Sequence, residues 1–142
     1  MKDYKSSSRA VWDCKYNLVW ITKCRYPILV GDVWLRAREL FREIARSLEM
    51  MIYAAVINRD HVHVLVSISP QVSVSRAVEF LKGKSSPRLA SEFAALRKRY
   101  WGQHLWARGY WVASSGNVTE EVWQKYIKNQ VPEEPDDNFK IV

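Results

Sequence analysis

Two short apolar segments separated by a tight polar turn limit the folds open to this chain more than any other feature. Met51–Ile57 is an unbroken apolar run, Asn58-Arg59-Asp60 has turn chemistry, and His61–Ser69 alternates in character. Runs of this length bounded by turn residues are strands, so the pair reads as a hairpin, strands two and three of a sheet.

The remaining elements fall on either side of that hairpin. In Trp12–Thr22, Cys14, Tyr16, Leu18 and Trp20 alternate with Asp13, Lys15 and Asn17, which predicts the first strand. Pro27 and Gly31 mark a turn. Trp34–Leu48 has helical periodicity, with Ala37, Leu40, Phe41, Ile44 and Leu48 on one face and Asp32 placed to cap the start. Ser73–Tyr100 is helical in pattern, but Gly83 and Pro87 predict a helix to Leu81, a basic break at Lys82-Gly83-Lys84-Ser85-Ser86, and a second helix from Pro87. Leu105–Ser114 is the expected fourth strand. Ser114-Ser115-Gly116-Asn117 is a short joint, and Thr119–Gln130 a final helix stopped by Pro132.

The order β-α-β-β-α-β plus a terminal helix predicts the α+β class, in the ferredoxin-like (RRM-like) arrangement: an antiparallel sheet with helices on one face. A chain of 142 residues fits one domain over 1–142, with loose tails at 1–9 and 131–142. That fold serves nucleases and passive nucleic-acid binders alike, so it does not decide function.

Charge narrows the partners. Lys and Arg number 22 against 15 Asp and Glu, a net +7, which favours a polyanion, nucleic acid first among them. Seven Trp and seven Tyr exceed what one small core needs, so some are expected at an interface or under bases. Cys14 and Cys24 lack metal-binding spacing and read as reduced thiols. No apolar run approaches the roughly 20 residues that cross a bilayer, and Met1–Arg9 has no apolar signal core. A cytoplasmic protein with no membrane partner is expected.

His61-Val62-His63 carries the sharpest chemical signal. Strand side chains alternate between faces, so both imidazoles point one way while Val62, Val64 and Val66 point into the core. Two imidazoles at i and i+2 can meet one cation. A pair opening a strand after a turn is also expected to reach solvent. The alternative is a histidine pair with no ligand on a solvated sheet face.

A two-histidine site needs a third ligand and open positions for substrate. Tyr126 and Gln130 stand four apart on the terminal helix and share a face. Gln130 offers an amide oxygen as ligand, and Tyr126 a phenol as nucleophile. Taken without further context, Tyr126 reads first as a packing aromatic beside Trp123 and Ile127. Attack by the phenol on a phosphodiester would expel a 3′-hydroxyl and leave a 5′-phosphotyrosine. That ester keeps about the bond energy of the diester, so a different 3′-end could be rejoined without ATP.

His-hydrophobic-His on a third strand with Tyr-x-x-x-Gln on a C-terminal helix resembles the single-tyrosine HUH transposases of small bacterial and archaeal insertion sequences. Cys14-Lys15-Tyr16 with Trp20, Lys23 and Tyr26, then Asp60, Lys82-Gly83-Lys84-Ser85-Ser86, Leu105-Trp106 and Gly109-Tyr110-Trp111 extend the similarity over Val11 to Gln130. The resemblance implies His61, His63 and Gln130 as ligands of Mg²⁺ or Mn²⁺ and Tyr126 as nucleophile. It implies a homodimer with composite sites acting on single-stranded DNA with hairpin ends, and no small-molecule substrate. The family often carries His where this chain has Asn17, and His104 matches no ligand position.

Lys82, Lys84, Ser85, Ser86 and Arg88 are the candidate DNA contacts, because side chains and free amides at a helix break can hold phosphate. Arg97, Lys98 and Arg99 could extend that path, and Trp101, Trp106, Tyr110 and Trp111 could stack on bases. Two other functions fit the same sequence: an HUH nuclease acting on chromosomal hairpin repeats, and a catalytically silent nucleic-acid-binding module.

Overall fold

A computed structural model describes residues 5–6, 11–12, 14–100 and 104–114. The expected helix Thr119–Gln130, with Tyr126 and Gln130, and the tail 131–142 lie outside the described residues. Four antiparallel strands form the main sheet: β1 (Lys15–Ile21), β2 (Met51–Ile57), β3 (His61–Ser67) and β4 (Trp111–Ser114). Their order is β2-β3-β1-β4, so β3 and β1 are the inner strands. Lys5–Ser6 pairs with Val11–Trp12 in a separate short ladder.

Helix α1 (Gly31–Ser47) links β1 to β2; α2 (Val74–Glu92) and α3 (Ala94–Tyr100) lie between β3 and β4. One core joins Leu18 and Trp20 of β1 and Val62, Val64 and Val66 of β3 to Ala37, Leu40, Phe41 and Ile44 of α1 and Ala77, Val78, Leu81 and Leu89 of α2. Each Val, Leu, Ile or Phe among these taken out of water contributes about 1.5–3 kcal/mol. Trp20 meets the rings of Phe41 and Trp106 edge-on, with centroids 5.5 and 6.1 Å away.

The hairpin and both inner strands match the alternation read from the sequence, with β3 ending at Ser67 rather than Ser69. Four expectations are corrected. First, β1 begins at Lys15, not Trp12; half-buried Cys14 precedes it and accepts a hydrogen bond from the Ile68 N–H at 3.0 Å. Second, α1 starts at Gly31 with Val30 at its N-cap, so Asp32 lies inside the first turn, where its carboxylate meets the positive end of the helix dipole instead of capping it.

Third, the expected basic break is absent: α2 runs unbroken through Gly83 and Pro87 to Glu92, and the chain leaves the helix at Phe93 instead. A proline inside a helix costs about 3 kcal/mol through its missing N–H and its clash with the carbonyl four residues back. Burial of Leu81, Ser85, Ser86 and Leu89 on both sides of Pro87 offsets that cost. Fourth, only Trp111–Ser114 of the expected strand Leu105–Ser114 is extended, and one bridge, Thr22 to Trp106, ties the preceding segment to the sheet end.

Candidate active site

The site begins at the turn between β2 and β3. The Asn58 N–H donates to the His61 carbonyl at 2.9 Å, and the Asn58 side-chain oxygen accepts from the Arg59 N–H at 2.6 Å. The same turn is tied to the chain after β1: the Thr22 N–H donates to the Asp60 carbonyl at 2.8 Å, and the Leu29 N–H to the Arg59 carbonyl at 2.9 Å. Asp60 is thereby held, fully buried, against the start of β3.

Asp60 Oδ1 lies 2.7 Å from His61 Nδ1, and Asp60 Oδ2 lies 3.7 Å from Arg25 Nε. An ionised carboxylate there requires a hydrogen on Nδ1, so Nε2 carries the imidazole lone pair. His63 follows on the same face, its ring centroid 5.1 Å from that of His61 and its plane turned by 67°. Val62, Val64 and Val66 fill the core face, as the alternation requires.

Contrary to the solvent access expected of them, both histidines are buried, 3% and 2% exposed. The strand that bears them has β2 on one side and β1 on the other. Burial lowers the pKa of His61 despite the opposing pull of Asp60. It pushes His63 down to about 4, with the neighbouring His61 adding to the effect. Both rings are neutral at pH 7, the state that binds a metal.

The donor set fits a divalent cation. His63 Nδ1 is buried with no hydrogen-bond partner among the described residues, and His61 is oriented by a carboxylate, a common arrangement behind metal-binding imidazoles. Among the described residues no group of three His, Cys, Asp or Glu side chains forms a metal cluster, so a third ligand to any ion held here would be of another type or lie elsewhere in the chain.

The candidate DNA contacts divide. Lys84 and Arg88 are exposed on α2; Lys84 Nζ lies 5.1 Å from the centre of the Phe80 ring, and Arg88 Nε is 3.7 Å from Glu92. Ser85 and Ser86 are buried, and their hydroxyls serve the fold: Ser85 Oγ accepts from Trp106 Nε1 and Ser86 Oγ from the Leu105 N–H, both at 3.0 Å. With no helix break, the amides there are not free for phosphate. Lys82 is half-buried and donates to two backbone carbonyls. Trp106 is buried, whereas Tyr110 and Trp111 are exposed. His104 is exposed. Asn17 is buried on β1, opposite Leu65.

Thr22 and Arg25 were not evident as parts of the site. Thr22 gives no local signal, and Arg25, which faces Asp60, lies where Cys24 and Arg25 both adopt left-handed backbone, with φ of 57° and 55°.

The model of the family described as "Transposase IS200 like" matches residues 10–130. The chain belongs to the IS200-like transposase family. Within this family of DNA-processing enzymes, it is 35% identical over 134 residues to the transposase for insertion sequence element IS200 of Salmonella typhimurium, covering 94% of this chain and 88% of that protein. It is 31% identical over 128 residues to the ISDra2 transposase TnpA of Deinococcus radiodurans, covering 90% and 91%. Among solved structures, a Deinococcus radiodurans R1 protein described as a transposase superposes with a TM-score of 0.72 at 33% identity, over 89% of this chain and 97% of that one. A REP-associated tyrosine transposase, solved bound to a REP hairpin, superposes with a TM-score of 0.57 at 12% identity over 89% and 68%, a likeness of fold alone. The family expected from the His-x-His and Tyr-x-x-x-Gln motifs is thus the family found. No helix among the described residues is long and apolar enough to cross a membrane.

Proposed function

We propose that this transposase cuts and rejoins single-stranded DNA at insertion-sequence ends through a covalent 5′-phosphotyrosine on Tyr126. The observation that carries the proposal is the buried, neutral histidine pair, with His61 oriented by the Asp60 carboxylate, in a chain of this family. His61, His63 and Gln130 would hold Mg²⁺ or Mn²⁺. When bound, the ion supplies positive charge to the scissile phosphate and its developing pentavalent state.

The chain's own groups do the rest. Asp60 keeps His61 in the tautomer that presents Nε2, and the core packing of Val62 and Val64 aims both rings to one side. Tyr126 Oη forms a bond to phosphorus as the bond from phosphorus to O3′ breaks; the phenolic proton is lost and the 3′-oxygen leaves as a hydroxyl. Reversal with another 3′-hydroxyl rejoins the strand. Lys84 and Arg88 supply exposed cations for the DNA backbone.

We read the fold as ferredoxin-like, with the tyrosine on a C-terminal helix; the strand order β2-β3-β1-β4 supports that reading. A homodimer with composite sites is part of the same proposal, and the exposed Trp111 and Val112 on edge strand β4 offer surface for it. Identity above 30% to insertion-sequence transposases favours this role over a nuclease of chromosomal repeats, where the likeness is of fold alone.

The test is to incubate the protein with labelled single-stranded hairpin ends and Mg²⁺ or Mn²⁺ and to look for a DNA–protein adduct on a denaturing gel. A divalent-dependent adduct is expected. Hairpin binding with no cleavage under any divalent ion would instead favour a silent binding module.

A further inference from the structure

The segment joining α3 to β4 is held by side chains of a single stretch of α2. Lys82 Nζ donates to the Ala107 carbonyl at 2.8 Å and to the Gly109 carbonyl at 2.7 Å. One turn on, Ser85 and Ser86 accept from Trp106 Nε1 and the Leu105 N–H. The other side of the segment is tied to the end of β1: Ala107 donates its N–H to the Ile21 carbonyl at 2.9 Å, and Lys23 donates to the Leu105 carbonyl at 2.7 Å. Ile21 is the cross-strand partner of His61. Two residues beyond Gly109, Trp111 pairs with Val19, which on its other side pairs with His63.

We propose that Lys82 is a positioning residue: its ammonium pins the Ala107–Gly109 turn and so sets the register at which β4 meets β1, in line with the histidine strand. Register matters here because a slip of one residue sends every side chain of a strand to the opposite face. Gly109 has φ of 81°, a left-handed conformation that relies on outside contacts to hold the turn in one form. Lys82 bonds two carbonyls spaced to bracket Arg108, which no neutral side chain of similar length would do with comparable strength. The chain beyond β4 leads to Tyr126, so the register set here governs where the proposed nucleophile is carried. This last consequence rests on the proposed function; the clamp itself does not. Contact between Lys82 and a DNA phosphate is the competing role.

The test compares Lys82→Met, which keeps the apolar stem and removes the donor, with Lys84→Met, an exposed neighbour two residues away. Hydrogen–deuterium exchange on the DNA-free protein is expected to speed up over 107–114 in Lys82→Met while 61–67 stays protected, and to be unchanged in Lys84→Met. The slope of log binding constant for hairpin DNA against log salt is expected to stay at the wild-type value in Lys82→Met. Adduct formation at saturating DNA is expected to fall on the order of 10- to 100-fold, the effect of a misplaced reacting group, with half-saturation unchanged. Wild-type exchange over 107–114 would overturn the clamp. So would a salt slope smaller by about 1, the signature of a lost phosphate contact. Unchanged adduct formation despite faster exchange would overturn the positioning role. If Lys82→Met fails to fold, Lys82→Gln undergoes the same measurements. If the wild type forms no adduct, the proposed function falls, and exchange over 107–114 alone still decides for or against the clamp.

Discussion

Asp60 Oδ1 sits 2.7 Å from His61 Nδ1, with the carboxylate fully buried and its other oxygen facing Arg25. This contact converts a turn residue into the group that chooses the tautomer of the next side chain. Removing such a partner typically weakens metal binding 10- to 100-fold. Asp60→Ala is therefore expected to lower Mn²⁺ affinity by about that factor, with Asp60→Asn intermediate because its amide oxygen still accepts a hydrogen bond. Calorimetric titration of Mn²⁺ into each variant checks this, and equal affinities would show that Asp60 does not orient a ligand.

The buried histidines make stability depend on pH. Their folded pKa values lie below the unfolded value near 6.5, that of His63 at about 4. The unfolded chain therefore takes up protons first as pH falls. Stability is retained above about 6.5 and is lost between about 6.5 and 4, by on the order of 3 kcal/mol for His63. Melting of the metal-free protein from pH 7 to pH 4 should show this loss, and His63→Gln should flatten the curve. A Tm as pH-dependent in His63→Gln as in the wild type would remove His63 as its source.

Trp20 is the core's central aromatic, in edge contact with Phe41 and Trp106. Trp20→Ala should cost about 3–5 kcal/mol, the usual range for emptying a large buried aromatic site. Urea denaturation measures it directly; a loss below about 1 kcal/mol would mean the neighbouring rings collapse into the gap.

Pro87 interrupts the hydrogen-bond ladder of an otherwise continuous α2. Pro87→Ala restores a donor for the Gly83 carbonyl, at the expense of a freer unfolded chain. A net gain on the order of 1–2 kcal/mol is expected. A destabilised Pro87→Ala protein would show that the proline shapes the helix rather than straining it.

What could be read from the sequence was what depends on neighbours along the chain. The Met51–Ile57 and His61–Ser67 hairpin, and the opposite facing of His61 and Val62, follow from alternation and one turn. Helix α1 follows from its apolar stripe. Apart from the start of α1, one residue before Asp32, the main misreadings involve contacts distant in sequence. Gly83 and Pro87 are local breakers, yet α2 continues because Leu81, Ser85, Ser86 and Leu89 are buried by the rest of the fold. Residues 105–110 alternate in part like a strand but are held by Lys82, Ser85 and Ser86 instead of a full ladder. The Asp60–Arg25 pair depends on a left-handed turn that no residue type there announces. Within the site, the shared face of His61 and His63 was legible from the alternation, whereas their burial was not.

In the proposed reaction one tyrosine, Tyr126, becomes esterified to DNA. The most direct measurement is mass spectrometry of the peptides recovered after reaction with a single-stranded hairpin end and nuclease trimming. The expected result is a nucleotide mass on the peptide containing Tyr126, absent from Tyr126→Phe and from protein treated with a chelator. A nucleotide on any other tyrosine, or an adduct that survives Tyr126→Phe, would contradict it.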